Sequence, residues 1–255
     1  MCKTENSMKK LTRPKRANHG KRANKHRNNH RRPRSLADFQ KHQWNVYGVQ
    51  NDQYFEVMEM ISRMNQYLGS VMKAVRQNDR KHLPYYLSTG FFWLLALANR
   101  LHINLQDEAW KRFPGVCPYC GEVPCKKSAG KICKKHADDR LEKLRAKGRR
   151  PKAILGFQRM FQYIYPHNTL EISAMHLLEE GIEVGHAYEN FRGRRIRMML
   201  EKTVMEMVDV FANICAVANC ADINLSIEAL KIFGKGCPKC SERHCQCRFR
   251  TRKNL

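Results

Sequence analysis

LALANRLHINLQDEAWKRFPGVCPYCGEVPC, residues 95–125, returns as CAVANCADINLSIEALKIFGKGCPKCSERHC, residues 215–245. Laid over each other without a gap, the two stretches agree at 15 of 31 positions. Ala98-Asn99 meets Ala218-Asn219, Ile103-Asn104-Leu105 meets Ile223-Asn224-Leu225, and Phe113 meets Phe233. Cys117-Pro118-x-Cys120 meets Cys237-Pro238-x-Cys240, and Cys125 meets Cys245. The starts of the two blocks also agree, Phe39-Gln40 and Tyr47 against Phe157-Gln158 and Tyr165. Self-similarity at a fixed spacing marks a repeated structural unit and is read before any local pattern.

Each copy is helical by periodicity. Leu94, Leu97, Ala98 and Leu101 follow Phe91 at helical spacing, as Val208, Phe211, Ile214, Cys215 and Ala218 follow Val204. Strand-like alternation with Asn-Gly or Asp-Gly turns is missing. A lone pair of amphipathic helices cannot bury its apolar stripe, so bundle packing follows. The expected fold is all-α: two tandem helical bundles, each ending in a small Cys-rich, zinc-binding turn.

Charge divides the chain the same way. The net charge is +25, and three segments carry all of it: +12 in 1–35, +9 in 126–153 and +4 in 246–255. The expected organisation is a basic disordered arm (1–35), a first helical copy (36–125), a basic linker (126–153), a second copy (154–247) and a basic tail (248–255). The arm has almost no apolar residue before Leu36, so it is expected to be disordered alone. It could neutralise phosphates in salt-sensitive nucleic-acid binding, although it lacks aromatic residues for base stacking. The longest apolar run, Phe91 to Ala98, is eight residues, which argues against a membrane span. No apolar segment follows the charged N-terminus, so no secretory signal is expected. Eleven cysteines without such a signal point to a reducing, cytoplasmic compartment, where clustered thiols more often bind metal than pair.

Cys237, Cys240, Cys245 and Cys247 offer four soft ligands at turn spacing, suited to one tetrahedral Zn²⁺. The first copy offers Cys117, Cys120 and Cys125, with Lys127 where Cys247 would fall, so Cys133 or His136 is the candidate fourth ligand. Cys215 and Cys220 sit in the apolar helical pattern and read as small core residues.

Acids gather in the second copy. Glu179-Glu180-Gly181-Ile182-Glu183 is followed by Glu206-x-x-Asp209. Residues at i and i+3 share a helix face, so each pair presents two carboxylates side by side. Two such helices packed face to face would converge four acids, which stay ionised only around cations. Oxygen ligands in that number select Mg²⁺ or Mn²⁺.

Glu-Glu-x-x-Glu, a gap, then Glu-x-x-Asp resembles the signature of MazG-like all-α nucleoside triphosphate pyrophosphohydrolases. The first copy resembles the same family at Ala74-Val75-Arg76-Gln77-Asn78-Asp79-Arg80, at Phe92 to Leu101, and at Pro114 to Gly121. The resemblance spans both copies and leaves out the arm, linker and tail. It implies metal ligands at Glu180, Glu183, Glu206 and Asp209. It makes Glu179 the candidate to orient or deprotonate the attacking water, and implies an Mg²⁺-dependent reaction releasing a monophosphate and pyrophosphate. Lys202 and the Arg192-Gly193-Arg194-Arg195 loop are candidate phosphate partners, and Asn219 a candidate substrate contact.

The first copy departs from this pattern. Its four ligand positions fall on Tyr67, Ser70, Tyr86 and Thr89, so no carboxylate remains. Glu56 and Glu59 form an acidic pair, but it lies too early and has no partner pair. The expected division of labour is catalysis in the C-terminal copy, with the N-terminal copy as a non-catalytic partner in an intramolecular pseudo-dimer. That unit either stops at one chain or assembles into a further homo-oligomer. The alternative is a catalytically weak protein that senses nucleotides or binds nucleic acid through its basic arms.

Overall fold

The computed structural model describes residues 32–125 and 134–247, with backbone alone for 134–140. The arm through Arg31, the tail 248–255, Cys133 and the His136 side chain therefore lie outside the described residues. The described residues form nine helices: α1 (Leu36–Tyr54), α2 (Val57–Arg76), α3 (Leu83–Arg100), α4 (Leu105–Arg112), α5 (Lys134–Lys147), α6 (Ile154–Ile164), α7 (Leu170–Arg194), α8 (Arg197–Cys220) and α9 (Leu225–Phe233).

Helix starts follow local chemistry. Ser35 caps α1 in a reciprocal box with Asp38, and Thr169 accepts the Ile172 N–H at the start of α7. Asn104 and Asn224 sit at matching positions of the repeat and cap α4 and α9 alike. Glu56 and Glu59 have the same kind of local role. Glu59 Oε2 accepts the Glu56 N–H at 2.8 Å, a helix-start box rather than a ligand pair.

The repeat is drawn again in hydrogen bonds. Gln40 Nε2 donates to the Ile103 carbonyl at 2.6 Å while its Oε1 accepts the Leu105 N–H at 3.2 Å. Gln158 does the same with Ile223 at 2.9 Å and Leu225 at 3.1 Å. Asn99 Nδ2 donates to the Gln40 carbonyl at 3.0 Å, and Asn219 Nδ2 to the Gln158 carbonyl at 2.7 Å. Each Gln–Asn pair locks the first helix of its copy to the long apolar helix and to the loop beyond it.

Within a copy, α2 packs on α3 and α7 on α8. Between copies, α2 packs on α7, α3 on α8, and each short last helix reaches across: α4 onto α8, α9 onto α3. Buried residues of both copies belong to one continuous cluster, so the boundary near residue 153 divides the sequence and not the core. At its middle Phe91 and Phe211, matching residues of the repeat, stack at 6.0 Å. Phe39 flanks the first at 6.3 Å and Phe157 the second at 5.5 Å. These four side chains are all fully buried, and truncating such a phenylalanine to alanine costs about 3–5 kcal/mol. Where α2 meets α7, a β-carbon on Gly181 would lie 2.5 Å from Asn65 Oδ1 and 2.7 Å from Leu68 Cδ1. Glycine there sets how closely the two copies approach, one residue from Glu180.

Two expectations change. The basic linker is not bare chain: α5 occupies Lys134–Lys147 and is docked on α4. Trp110 Nε1 donates to the Arg145 carbonyl at 3.3 Å, Arg145 Nε donates to the Lys111 carbonyl at 2.6 Å, and Leu141 is buried. Also, α8 is long and apolar enough by length and composition to cross a membrane, although 67% of its most apolar window is buried inside the bundle. Counting unbroken apolar runs misses it because Glu206 and Asp209 interrupt the pattern.

Candidate functional site

The acids of the second copy come from α7 and α8, the most extensively packed pair of helices. Glu180, Glu206 and Asp209 each place a carboxylate oxygen within 4.8 Å of the others. Glu206 and Asp209 are buried, at 7% and 6% exposure, and Glu180 is half-buried. Such crowding raises all three acids above the ordinary carboxylate range. Burial is the first cause, and for Glu180, pushed up to about 8, the neighbouring Asp209, Glu183 and Glu206 add to it. Glu206 rises through burial, then Asp209 and Glu183, with Lys202 and Arg112 opposing. Asp209 rises through burial against the pull of Arg112. The three acids form a group that could hold a metal ion.

Arg112, at the end of α4, enters this site from the other copy. Its Nε donates to Asp209 Oδ1 at 2.6 Å and its Nη2 to Asp209 Oδ2, a two-pronged pair 97 residues apart in sequence. The side chains are 15% and 8% exposed, so the pair is largely withdrawn from water. Arg112 Nη2 also donates to the Tyr119 hydroxyl at 3.0 Å. The acids of the second copy are thus walled by an arginine and a tyrosine of the first. Sequence reasoning missed both. The signal was a mismatch in the repeat: Arg112 stands opposite Ile232, and Tyr119 opposite Lys239.

The remaining predicted residues divide. Glu183 is exposed, one turn beyond Glu180, outside the three-acid contact but near enough for its charge to raise all three. Glu179 is exposed and its Oε2 lies 3.8 Å from His176 Nδ1. Lys202 is exposed one turn before Glu206 and lowers its pKa, which places it at the rim. Asn219 spends its amide on Gln158, as Asn99 does on Gln40. Arg194 and Arg195 are not in the site. They form the last turn and left-handed cap of α7 rather than a loop, 14 and more residues beyond Glu180, or about 20 Å at 1.5 Å per residue.

Both cysteine clusters are assembled. Sγ atoms of Cys237, Cys240, Cys245 and Cys247 all lie within 4.8 Å of one another, as do those of Cys117, Cys120 and Cys125. Cys237 and Cys247 are 3.9 Å apart, Cys120 and Cys125 3.8 Å, Cys117 and Cys125 3.4 Å. Zinc–thiolate bonds of about 2.3 Å set tetrahedral sulfurs about 3.8 Å apart, so both sets could hold such an ion. The two turns share a backbone: Cys117 N donates to the Glu122 carbonyl at 3.1 Å and Cys237 N to the Glu242 carbonyl at 2.9 Å. Gly121 and Ser241 match in left-handed conformation, at φ 64° and 60°. Cys240 is held down to about 6, first by the Gln246 and Glu242 backbone amides, whereas burial and the neighbouring thiols push Cys125 up to about 12. Completion of the first set through Cys133 or His136 falls outside the described residues.

Each turn docks on the other copy. Cys125 N donates to the Ile164 carbonyl at 2.8 Å, and Cys245 N donates to the Val46 carbonyl at 2.8 Å. The Tyr165 hydroxyl donates to Cys117 Sγ at 3.5 Å, and Tyr47 lies against Cys237 in the mirrored position. A cysteine turn therefore ends one copy and braces the first helix of the other.

The chain matches no family model, no curated protein and no solved structure.

Proposed function

We propose that the protein hydrolyses nucleoside triphosphates to a monophosphate and pyrophosphate at the acid cluster of its C-terminal copy, with the N-terminal copy as a non-catalytic partner. The carrying observation is the convergence of Glu180, Glu206 and Asp209, from two helices, on one largely buried point. Crowded acids raised by burial and by each other favour Mg²⁺ or Mn²⁺ as the resident ion. When bound, such a cation supplies charge neutralisation on the phosphates and Lewis acidity toward water.

The chain's own residues divide the remaining work. Glu180, Glu206 and Asp209 hold the cation, and Glu183 adds charge from the rim. Arg112 fixes both oxygens of Asp209, so that acid is oriented before any ligand arrives. Lys202 stands at the rim where phosphate oxygens would emerge. Glu179 faces solvent beside His176 and is the acceptor for the proton of the attacking water, which can then leave to bulk. The paired cysteine turns keep the two copies in register around this point.

The test is pyrophosphate release from a panel of nucleoside triphosphates with Mg²⁺. Wild-type protein should turn over. Glu206→Gln should lose at least about a hundredfold, the scale of removing a preorganised electrostatic group. Glu179→Gln should lower kcat more than KM. Unchanged turnover in Glu206→Gln would remove the acid cluster from the reaction.

A further inference from the structure

The position that holds acids in the second copy is not filled in the first. A cavity of about 400 Å³ opens there, within the range of about 300–1,000 Å³ typical of small-molecule sites. Tyr67 and Thr89, two of the positions matching the acids, line it, and Tyr85 rather than Tyr86 joins them. Tyr67 and Tyr85 meet edge to face at 6.4 Å, and Phe55 meets Trp93 at 5.2 Å on the same lining. The second copy's cysteine turn supplies another wall, with Lys239 as the one Lys or Arg among the lining residues and no carboxylate there. Where the second copy gathers acids, the first has a cavity lined by aromatic rings.

Two buried amides face it. Gln43 is 2% exposed and Asn51 is 6% exposed, and both line the cavity. Gln43 Oε1 accepts the Asn99 amide at 2.8 Å, but its Nε2 has no hydrogen-bond partner among the described residues. The Asn51 carbonyl accepts from Arg100 at 2.7 Å and from Phe55, while its side-chain amide has no partner among the described residues. Both amide nitrogens keep some solvent access from the open cavity, so an apolar occupant that took this away would cost about 1–3 kcal/mol per group. An occupant with donors and acceptors on its edge avoids that cost. Ring walls select a flat occupant, since stacking on an aromatic side chain contributes about 1–3 kcal/mol per base.

We infer that this cavity binds a planar heterocycle of the nucleobase class, held by ring stacking and by the Gln43 and Asn51 amides, without a metal ion. The inference does not depend on the hydrolase reading. A cation in an aromatic cage is the competing occupant. It is disfavoured by the exposed Lys239 on the lining and by amides that a quaternary ammonium could not satisfy.

The experiment is calorimetric titration of the full chain, with no Mg²⁺ added, using adenosine, guanosine, cytidine and uridine, the matching mono- and triphosphates, and choline. At least one nucleoside should bind. Its affinity should be unchanged in Glu206→Gln and fall at least tenfold in Tyr85→Ala and in Asn51→Ala. Tyr85→Phe keeps the ring and should retain binding, which separates loss of stacking from loss of fold. Similar affinity for a nucleoside and its phosphates would place recognition on the base. Choline binding in place of nucleosides, binding only of triphosphates and only after Mg²⁺ is added, or binding lost in Glu206→Gln and kept in Tyr85→Ala would each overturn the inference. Absence of turnover in the pyrophosphate assay would sink the hydrolase reading and leave this result standing.

Discussion

The two copies share a helical plan and differ most where the second gathers its acids. Their capping asparagines, Gln–Asn locks and central phenylalanines match, as do the first three cysteines of each turn. At the point where α7 and α8 bring Glu180, Glu206 and Asp209 together, the first copy has Tyr67 and Thr89 around an open cavity. The difference teaches that helix packing does not need the acids, because the same scaffold stands without them. The second copy keeps three groups that crowding drives toward protonation, a cost with no structural return in sight. The cost is concentrated where Arg112 crosses over, so the first copy compensates a strain that only the second has.

The largest effect is expected from the cysteine turns, since structural zinc contributes about 10–16 kcal/mol of binding free energy in small sites. Replacing Cys237 and Cys240 by serine should remove one zinc from the purified protein, measured by atomic absorption. It should also loosen α1 of the other copy, read as faster amide exchange around Val46. Protection of Val46 unchanged on zinc loss would show that the turns do not brace across copies.

Next in size is the cross-copy arginine. Arg112→Ala leaves Asp209 buried without its partner, a change that costs about 3–5 kcal/mol in comparable pairs. Thermal melts should show that loss without Mg²⁺ and a partial recovery with it. Ile232→Ala, at the matching place in the other copy, should show no Mg²⁺ dependence.

A smaller effect follows from pH. Glu180 sits at about 8 in the folded protein against an ordinary 4.5, so between those values the folded metal-free chain holds more protons than the unfolded one. Stability without metal should therefore fall as pH rises through that window, and binding of Mg²⁺ should raise Tm more near about pH 8 than near about pH 5. An equal gain at both would mean that these acids are not the ligands.

The smallest contrast lies in two glycines. Gly181→Ala meets Asn65 and Leu68 at under 3 Å and should destabilise by about 1–3 kcal/mol. Gly69→Ala, in α2, has open space and should stabilise by about 0.5–1 kcal/mol. Denaturant midpoints for the two variants would tell whether the copies meet as closely as the crossing implies.

Much of the molecule was legible in one dimension. Helical periodicity, the asparagine caps, the cysteine spacing and the i, i+3 acids are all set within a few residues, where backbone geometry fixes which side chains share a face. What could not be read was reach. Asn219 was a candidate through the family resemblance alone, and its amide closes on Gln158, 61 residues away. Arg194 and Arg195 read as a basic loop, but α7 runs to Arg194 with Arg195 as its cap, about 20 Å along the helix from Glu180. Arg112 carried no local signal at all, because its meaning depends on α4 crossing to α8.

The sequence by itself determined that the chain is helical, duplicated, thiol-clustered and acidic at one place in one copy, since these follow from short-range spacing. That the copies share a single core, that each cysteine turn docks on the other copy, and that the first copy has a cavity where the second gathers acids are visible only in three dimensions. Those outcomes depend on which helix faces lie against each other across the repeat, and long-range packing of that kind is set by the summed fit of many side chains rather than by any motif.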